Sequence, residues 1–544
     1  MSFSLPKSDS NFWSYLALIF IFFLFLFHIG DQSAPRQGTE GFYLQISKEM
    51  FSRNSYLIPY YLNEPHFSKP PLQFWLTSPF YFIFGEGLWT ARISIFIITC
   101  FLIACVSKLL SRLGPLSPLS IFILFISTFG VIKYSRIYMM DAFFTFFTGA
   151  GTLFAFEYIK SKHVHSLVFS AFLLAASSLI KGPISIVMAL SAVFIFVLIK
   201  RERALYRYFF QLSILVLILA SFWYIACFYQ YGSKFFDYFF MRENLGKFTA
   251  QTYSPIVLLQ GLILFSFPVI VPFALQIYRD IKSRTLIKTD LNLFLLICFI
   301  IFWTIWLIPS QRSHHYAMPA TFFVVSYVAI SRFDSLFFAK LINAFSLALT
   351  SIGIILVALI LFFKQFLPLI STTTCLLALT ILTASMLFTL FAKGTMNLRL
   401  AQYTVSLILI WYHIAAMVAL PILPERAREQ LVSTNSNIRI GVVYRKPYFV
   451  SDLLGRDIEP LSHGQGTSEL LGANFDYLIM PSTETTTSSK FQVLASWTVW
   501  KRGLRTAEIY EKLTNNKLDE LQESYTLFHR KQQATTGLDS SPPL

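Results

Sequence analysis

Charged side chains are scarce in this chain, where they make up 13% of 544 residues, against the roughly 25% of an ordinary soluble protein. Cysteine is scarce too, and all five cysteines lie inside apolar runs: Cys100, Cys105, Cys227, Cys298 and Cys375. This placement argues against a disulfide framework or a cysteine-based metal site and favours bulk packing. No glycine-rich phosphate loop occurs in the sequence, which argues against a soluble nucleotide as substrate.

Apolar residues dominate instead. Hydrophobic residues form 55% of the chain and include 59 phenylalanines, a composition that predicts a protein crossing the membrane many times. The first apolar run, "NFWSYLALIFIFFLFLFHIG", follows a single lysine and has no small-residue cleavage site. We therefore expect an uncleaved signal anchor whose N-terminus stays in the cytoplasm.

The formal net charge of +16 does not indicate nucleic-acid binding, because the basic residues lie in short loops between apolar runs. With alternating spans these loops fall on one side of the membrane, which predicts that side to be cytoplasmic. The basic residues concerned are Lys108, Arg112, Lys160, Lys162, Lys200, Arg201, Arg203, Arg207, the run from Arg279 to Lys288, Lys393 and Arg399.

Apolar windows and basic stops predict thirteen spans, and so a mostly α helix bundle with its C-terminal tail outside. The run from 166 to 200 is divided at Lys181-Gly182-Pro183, because a glycine-proline pair interrupts a helix. The predicted spans are 11–29, 88–111, 117–133, 138–159, 166–180, 183–200, 208–229, 254–277, 291–309, 316–331, 338–363, 367–392 and 402–423.

Two predicted outer segments are long enough to carry polar chemistry, residues 30–87 and 230–253. The first predicts a helix over 40–53, a turn, and a proline-interrupted stretch, "PPLQFWLTSPFYFIFG", in the membrane interface. The membrane domain is expected to cover 1–424 with both segments.

Residues 425–544 are predicted to form a small extracytoplasmic α/β domain. The segments "NIRIGVVYR", "FDYLIMP" and "ASWTVWKRG" alternate like strands, whereas "TAEIYEKLTNNKLDELQESYTLFHRK" has the pattern of a charged helix. The last stretch, "QQATTGLDSSPPL", is expected to be disordered.

Polar residues in the first outer segment are candidates for chemistry. Glu40 begins the predicted helix, where it could face an outer cavity and accept or orient a proton. For Lys48 and Glu49 an amphipathic interfacial helix is the alternative. Lys69 precedes two prolines that fix its backbone, which suits a phosphate clamp, although a snorkelling topology lysine is the alternative.

Asp141, in "SRIYMMDAFFTFF", lies at the outer end of an apolar span, where a carboxylate is costly and marks a function or a partner. Pairing with Arg136 is the alternative to a catalytic role, and Arg136 could instead bind an anionic ligand.

Further along the chain, "KFFDYFFMRENLGKF" supplies Glu243, with an interfacial amphipathic helix as the alternative. The outer turn "PSQRSHHYAMP" offers Arg312 as an anion binder. Its adjacent histidines cannot point the same way on a helix, so they make a weak metal site.

All these polar groups fall on the outer face, an arrangement that fits a substrate with a lipid tail and a phosphate head.

The first outer segment resembles a known signature. The stretch "TEGFYLQISKEMFSRNSYLIPYYLNEPHFSKPPLQFWL", followed by "FGEGLWTARI", is similar to the first loop of bacterial GT-C glycosyltransferases, the ArnT-like aminoarabinose transferases and protein O-mannosyltransferases. "IYMMDAFFTFF", "LIKGPI" and "FMRENLGKF" resemble later landmarks, in the same order. The resemblance covers about residues 10–330. It implies an acidic-pair role for Glu40, a neighbouring loop role for Tyr43, phosphate binding by Lys69, and an acidic role for Asp141.

The chain also departs from that signature. The leading aspartate of the acidic pair is Thr39, and the arginine two residues after the glutamate is Phe42. Ser68 replaces a glutamate before the lysine, and Asn244 replaces a histidine of the aminoarabinose branch. In that branch the glutamate and the histidine could hold a divalent ion, so their replacement argues against a metal site of the usual kind. A divalent metal held in another way stays open, and the cofactor is unknown.

The resemblance implies an inner-membrane glycosyltransferase that moves a sugar from a polyprenyl-phosphate donor to an acceptor at the periplasmic face, such as lipid A or another envelope glycan. Single displacement would invert the anomeric carbon. Membrane lipids are expected neighbours and nucleic acid is not a partner. A protein acceptor, or a degenerate member that binds the lipid without transfer, are the alternatives, and a transporter is disfavoured because no repeat relates two halves of the chain.

Overall fold

The computed structural model describes residues 7–31, 39–248, 254–285, 289–331, 335–363, 371–391, 395–417, 422–433, 438–443, 447–461, 475–482, 490–501, 508, 511–512, 514–515 and 517–531. The chain divides into two compact units, Met1–Met417 and Val418–Leu544. Residues 532–544, the predicted disordered end, lie outside the described residues, as do Lys393, residues 32–38 of the first outer segment and residues 249–253 of the second.

The first unit is a helix bundle with one short hairpin. Its α-helices are α1 (Lys7–Leu26), α2 (Glu40–Ser52), α3 (Leu72–Phe84), α4 (Leu88–Leu110), α5 (Pro118–Ile126), α6 (Phe129–Tyr134), α7 (Asp141–Ser161), α8 (Val164–Lys181), α9 (Ile184–Lys200), α10 (Arg203–Phe236), α11 (Ile256–Ser266), α12 (Ile270–Lys282), α13 (Asp290–Thr304), α14 (Met318–Ile330), α15 (Ser335–Phe362), α16 (Thr372–Phe391) and α17 (Met396–Met417). The hairpin is β1 (Tyr60–Tyr61) with β2 (Glu64–Pro65), a π-helix spans Asp237–Asn244, and 3-10 turns span Leu245–Phe248, Ile305–Leu307 and His314–Ala317.

This unit is a multi-pass membrane protein. Among the described residues, 7 helices are long and apolar enough to cross a membrane, or up to 8 if the α11–α12 pair, bent by 102°, is one span. Large apolar side chains cover the outward faces of α10, α15 and α16, as expected of helices surrounded by lipid. The total of thirteen spans stays a prediction.

One of two predicted features of the spans is present in the bundle and the other is not. The break at Lys181-Gly182-Pro183 is confirmed, because Gly182 ends α8 with a φ of +93° that disfavours any other residue. The span expected over 117–133 is interrupted instead. There the hydroxyls of Ser127 and Thr128 each donate to the carbonyl three residues earlier at 2.8 Å, and the chain starts α6 as a new helix.

The first outer segment folds as a helix, a hairpin and a second short helix. Helix α2 confirms the helix predicted over 40–53. The carboxylate of Glu49, which is 8% exposed, accepts hydrogen bonds from the backbone N–H groups of Leu62 at 2.8 Å and Asn63 at 3.0 Å. Glu49 thus fixes the hairpin turn. These hydrogen bonds account for Glu49 better than the alternative of an amphipathic interfacial helix. Helix α3 has 13 residues and is too short to span a bilayer.

A buried ion pair ties this segment to the bundle. Arg92 on α4 donates from Nε and Nη2 to the two carboxylate oxygens of Glu40, both at 2.7 Å. The same carboxylate accepts the backbone N–H of Tyr138 at 2.7 Å, and Arg92 also donates to the Ile29 carbonyl at 2.6 Å. Because both side chains are at most 1% exposed, one ion pair connects the end of α1, α2, α4 and the loop before α7.

The second unit holds a five-stranded sheet of order β4-β3-β5-β7-β6. Its elements are α18 (Glu425–Val432), β3 (Ile440–Val442), α19 (Pro447–Leu454), β4 (Glu459–Pro460), β5 (Tyr477–Pro481), β6 (Phe491–Trp500), a 3-10 turn (Leu518–Leu521) and β7 (Gln522–Arg530). Strand β3 pairs parallel with β4 and β5, whereas β7 pairs antiparallel with β5 and β6. Strands in the three alternating segments are confirmed.

The charged helix expected over 506–531 is wrong at its C-terminal end, where residues 522–530 form β7. Tyr525 and Leu527 are fully buried while the strand hydrogen-bonds to two neighbours. The acidic residues before this stretch favoured a helix, but pairing and burial inside a sheet override local helix propensity.

The buried pair generates a stability prediction. Arg92→Met leaves the Glu40 carboxylate buried without its cation, so we expect a loss of about 3–5 kcal/mol in unfolding free energy. Thermal unfolding in detergent, followed by tryptophan fluorescence, measures the change. The matched control is Lys160→Met, which breaks a pair with Asp290 in which the lysine is 48% exposed, and it should cost about 0–1 kcal/mol. Equal unfolding midpoints for the two variants would contradict the assigned role.

Candidate active site

Polar side chains from six segments meet at one end of the bundle. They come from α2, the loop before α3, the start of α7, the end of α8, the π-helix after α10 and the 3-10 turn before α14. Helices α7 and α8 are consecutive and antiparallel, so the start of α7 and the end of α8 lie at the same end of the bundle. The grouping therefore follows from connectivity, and the side chains supply its chemistry.

Asp141 and Lys181 form the inner half of this group. Lys181 Nζ donates to Asp141 Oδ1 at 2.9 Å, and the aspartate is 1% exposed. The other oxygen, Oδ2, has no hydrogen-bond partner among the residues that the structure describes. The lysine ammonium also lies over three rings, at 5.1 Å from Phe144, 5.8 Å from Trp306 and 5.0 Å from Tyr316. This aromatic box fixes the lysine ammonium beside Oδ1. Oδ2 therefore stays available to accept a proton.

The turn that carries His315 and Tyr316 is held against α11 by a close approach at Gly261. A Cβ at Gly261 would lie 2.3 Å from the carbonyl oxygen of His314, so only glycine lets the two segments pack this tightly. Burial lowers the pKa of His315 to about 4, although the charge of Asp141 opposes the shift. His315 is therefore neutral near pH 7 and adds no charge to the group.

Lys69 and Glu243 form the outer half. They make a direct ion pair, and Lys247 Nζ approaches the same carboxylate oxygen at 3.3 Å. Burial lowers the pKa of Lys69 to about 8, an effect that the Glu243 charge partly offsets. Lys69 is thus mostly protonated at pH 7 but loses its charge at mildly alkaline pH.

Tyr43 connects the two halves electrostatically. Its pKa is raised first by burial and then by the charges of Asp141 and Glu243, and both carboxylates also act on Tyr316, whose pKa rises to about 12. Two carboxylates that act on the same two phenols belong to one site. Tyr43 and Tyr316 keep their protons and can donate hydrogen bonds to a bound ligand.

The charge balance of the site favours an anion. Burial lowers the pKa of His66 to about 4, so this ring is neutral at pH 7 as well. Lys133 on α6 also belongs to this group, because its charge acts on Asp141. The charged side chains that remain are four lysines and two carboxylates, which leave two positive charges: Lys69, Lys133, Lys181, Lys247, Asp141 and Glu243. A phosphate group would complement this surplus.

A divalent metal does not fit these residues. Glu243 is shared by two lysine ammonium groups, and the Asn244 amide donates to the Phe239 carbonyl at 2.6 Å. The Ser68 hydroxyl contacts the ring of His66. In the parts of the chain that the structure describes, no three His, Cys, Asp or Glu side chains are grouped to hold a metal. We therefore derive no step through a metal ion.

The structure brings together Tyr43, Lys69, Asp141 and Glu243, four of the residues that the sequence indicated. Glu40 is different. The expectation that it faces an outer cavity is wrong, because Arg92 and the Tyr138 backbone occupy its buried carboxylate.

Two predicted arginines make other contacts. Arg136 does not pair with Asp141, whose partner is Lys181. Its guanidinium donates to the Phe27 carbonyl at 2.7 Å. Arg312 Nη2 donates to the Leu307 carbonyl at 2.7 Å, and its predicted role in anion binding stays a prediction.

Sequence reasoning missed Lys181 and Tyr316 and gave His315 only a weak metal role. The signal for Lys181 was present in "LIKGPI", because a lysine directly before a helix-ending glycine lies at the membrane edge. For Tyr316 the only signal was its place in an aromatic outer turn. The ring's position over Lys181 depends on the packing of α11 and could not be read locally.

The fold defines the class of protein. Residues 68–225 match the family model described as dolichyl-phosphate-mannose-protein mannosyltransferase. The crystal structure of ArnT from Cupriavidus metallidurans bound to undecaprenyl phosphate superposes with a TM-score of 0.69 at 15% identity, covering 87% of this chain and 94% of that one. The same protein in the apo state gives a TM-score of 0.65 at 16% identity, covering 84% of this chain and 87% of that one. The chain therefore has the GT-C fold, and its resemblance to ArnT-like proteins is confirmed.

Sequence relatives agree. An uncharacterized protein of Aquifex aeolicus (strain VF5) is 28% identical over 347 residues, which are 62% of this chain and 76% of the relative. The undecaprenyl phosphate-alpha-4-amino-4-deoxy-L-arabinose arabinosyl transferase of Yersinia pestis (strain Pestoides F) is 25% identical over 253 residues, 44% of this chain and 45% of that enzyme. The match thus spans about half the length of the arabinosyl transferase.

The Asp141–Lys181 pair generates a second prediction. Lys181→Met leaves the buried Asp141 carboxylate without its ammonium partner, so we expect a loss of about 3–5 kcal/mol in stability. Adding Asp141→Asn removes the stranded charge, and the double variant should recover much of the loss. Thermal unfolding of both single variants and the double variant measures the coupling. Strictly additive effects would show that the two side chains do not form a pair.

Proposed function

We propose that this protein is a glycosyltransferase that takes a sugar from a polyprenyl-phosphate donor. The observation that carries the proposal is the surplus of positive charge at one end of a membrane bundle, beside a buried carboxylate oxygen with no partner among the described residues. The matched family and the solved ArnT structure with undecaprenyl phosphate support the same class of donor.

The anionic phosphate of the donor would be held by Lys69. Glu243 pairs with this lysine, and Lys247 lies close enough to hold the glutamate when a phosphate binds to Lys69. Cations fixed at the leaving group stabilise the charge that the phosphate acquires as the glycosidic bond breaks. Little acid catalysis is needed, because the phosphate leaves as an anion.

Asp141 would accept the proton of the acceptor. Its Oδ2 oxygen takes the proton of the acceptor hydroxyl. At the same time the acceptor oxygen bonds to the anomeric carbon, and the bond between that carbon and the phosphate oxygen of the donor breaks. Lys181 orients Asp141 through the other oxygen. The predicted catalytic role of Glu40 becomes one of positioning, since this carboxylate holds the first loop against α4. One displacement inverts the anomeric carbon.

The acceptor is proposed to be lipid A or another envelope glycan at the periplasmic face of the inner membrane. The resemblance of the first outer segment to the aminoarabinose branch implies a lipid or glycan acceptor. The description of the matched family model names a protein mannosyltransferase, which favours a protein as the second candidate acceptor. A donor-binding protein without transfer activity is the third, motivated by Thr39, Phe42 and Ser68.

Transfer assays test this proposal. Purified protein in lipid is incubated with radiolabelled polyprenyl-phosphate sugar and a membrane extract as acceptor source. Lys69→Ala should lower kcat/KM by about 10- to 100-fold, the value of a charge-assisted hydrogen bond. Asp141→Asn should lower kcat by about 10²- to 10⁴-fold, as for a general base. Lys234→Ala changes an exposed lysine close to the same end of the bundle and should leave transfer unchanged.

The outcome also separates the candidates. If both variants transfer the label as well as the wild type does, the assigned site is rejected. Label found in protein after lipid extraction would select the protein acceptor. Donor binding without any transfer would select the non-catalytic candidate.

The pKa of Lys69 predicts a pH dependence. Its pKa is lowered to about 8, and only the protonated lysine attracts the donor phosphate, so donor affinity should be full below pH 7 and fall as pH rises through about 8. Lys69→Arg keeps its charge throughout this range, and its donor KM should stay nearly flat. Donor KM measured from pH 6.5 to 9.5 checks the difference. Parallel profiles for both proteins would show that another group titrates.

A further inference from the structure

A second cation is buried away from the candidate active site. Arg136 lies in the loop between α6 and α7, is 2% exposed, and donates to the Phe27 carbonyl at 2.7 Å. Its guanidinium lies 5.8 Å from the centre of the Trp411 ring. These neutral partners hold the side chain in place and leave its positive charge uncompensated.

No carboxylate pairs with Arg136 within the described part of the chain. Glu40 gives both of its carboxylate oxygens to Arg92, and the Asp31 carboxylate contacts the ring of His28. Burial and the charge of Arg92 lower the pKa of Arg136 to about 9, so the side chain is still charged at pH 7. A buried cation without a counter-ion is strongly unfavourable, and an anion from outside the chain would relieve this cost.

Arg136 also lines a small apolar groove of about 140 Å³ between α1, α16 and α17. The groove opens toward lipid, because Phe23 is 58% exposed and Leu377 is 51% exposed at its edge. Ile408 and Leu409 form its inner wall. A cation at one end of an apolar, lipid-facing groove fits an anion that carries an alkyl chain.

His413 adds a second polar group to the same groove. The residue is 1% exposed, and its Nδ1 lies 2.7 Å from the Leu409 carbonyl, to which it donates. Its other nitrogen, Nε2, is therefore an acceptor, and it has no hydrogen-bond partner among the described residues. A hydroxyl group on the ligand would satisfy it.

We propose that this groove binds an anionic glycerophospholipid with a hydroxyl-bearing headgroup, such as a phosphoglycerol lipid. The phosphate pairs with Arg136, a headgroup hydroxyl donates to His413 Nε2, and the first part of one acyl chain lies between α1, α16 and α17 before it continues into the surrounding lipid. Arg136 and His413 line this groove, whereas none of the four lysines near Asp141 does. The inference does not depend on the proposed transfer reaction.

Native mass spectrometry of the purified full-length chain tests the proposal. The delipidated protein is mixed with phosphatidylglycerol or with phosphatidylcholine of the same acyl chains, and retained lipid per protein is counted. We expect preferential retention of one phosphatidylglycerol. Arg136→Gln should lower that preference about tenfold or more, the effect of losing one charge-assisted hydrogen bond, whereas Arg136→Lys should keep part of it.

Two further variants keep the test decisive if Arg136→Gln does not fold. Thr374→Trp fills the groove, which Thr374 lines, and should reduce retention while leaving Arg136 intact. Arg207→Gln changes an exposed arginine on α10 and should retain lipid like the wild type.

Equal retention of the two lipids by the wild type would overturn the proposal. So would displacement of the phosphatidylglycerol by one equivalent of polyprenyl phosphate, which would assign the groove to the donor.

Discussion

The buried ion pair between Glu40 and Arg92 is the contact on which the rest of the site depends. The pair lies where the end of α1, the first loop, α4 and the loop before α7 meet. Because Tyr43 follows Glu40 on the same helix and Asp141 begins α7 three residues after Tyr138, the pair sets the positions of both. A carboxylate expected to do chemistry thus organises the residues that can do it. Such a pair favours one geometry because its alternatives leave a buried charge unpaired.

The site combines excess positive charge with restricted proton exchange. Its histidines are neutral and its tyrosines keep their protons, since burial shifts the pKa of His66 and His315 to about 4 and raises that of Tyr316 to about 12. Lysines and carboxylates therefore carry all of the charge at pH 7. An anionic ligand can enter without first changing the protonation of its neighbours. The Asp141 oxygen that has no hydrogen-bond partner in the described ranges remains as the acceptor of a proton.

Much of this arrangement could be predicted from the sequence, because membrane helices follow hydropathy and their connectivity places alternate loops together. Lys69, Asp141 and Glu243 were identified in this way. The role of Glu40 could not be predicted, because its partner Arg92 lies 52 positions along the chain inside an apolar helix. Strand β7 was missed for a related reason, since its acidic lead-in favours a helix and only pairing with β5 and β6 decides against it.

The central claim is that one site holds the donor phosphate on Lys69 while Asp141 faces the sugar. An electron cryo-microscopy structure of the full chain in nanodiscs with a non-hydrolysable polyprenyl-phosphate sugar tests it most directly. We expect phosphate density within hydrogen-bond distance of Lys69. The Glu243 carboxylate should then lie against Lys247, and the anomeric carbon should lie beside Asp141 Oδ2. Phosphate density away from Lys69, with the Lys69–Glu243 pair intact, would contradict it.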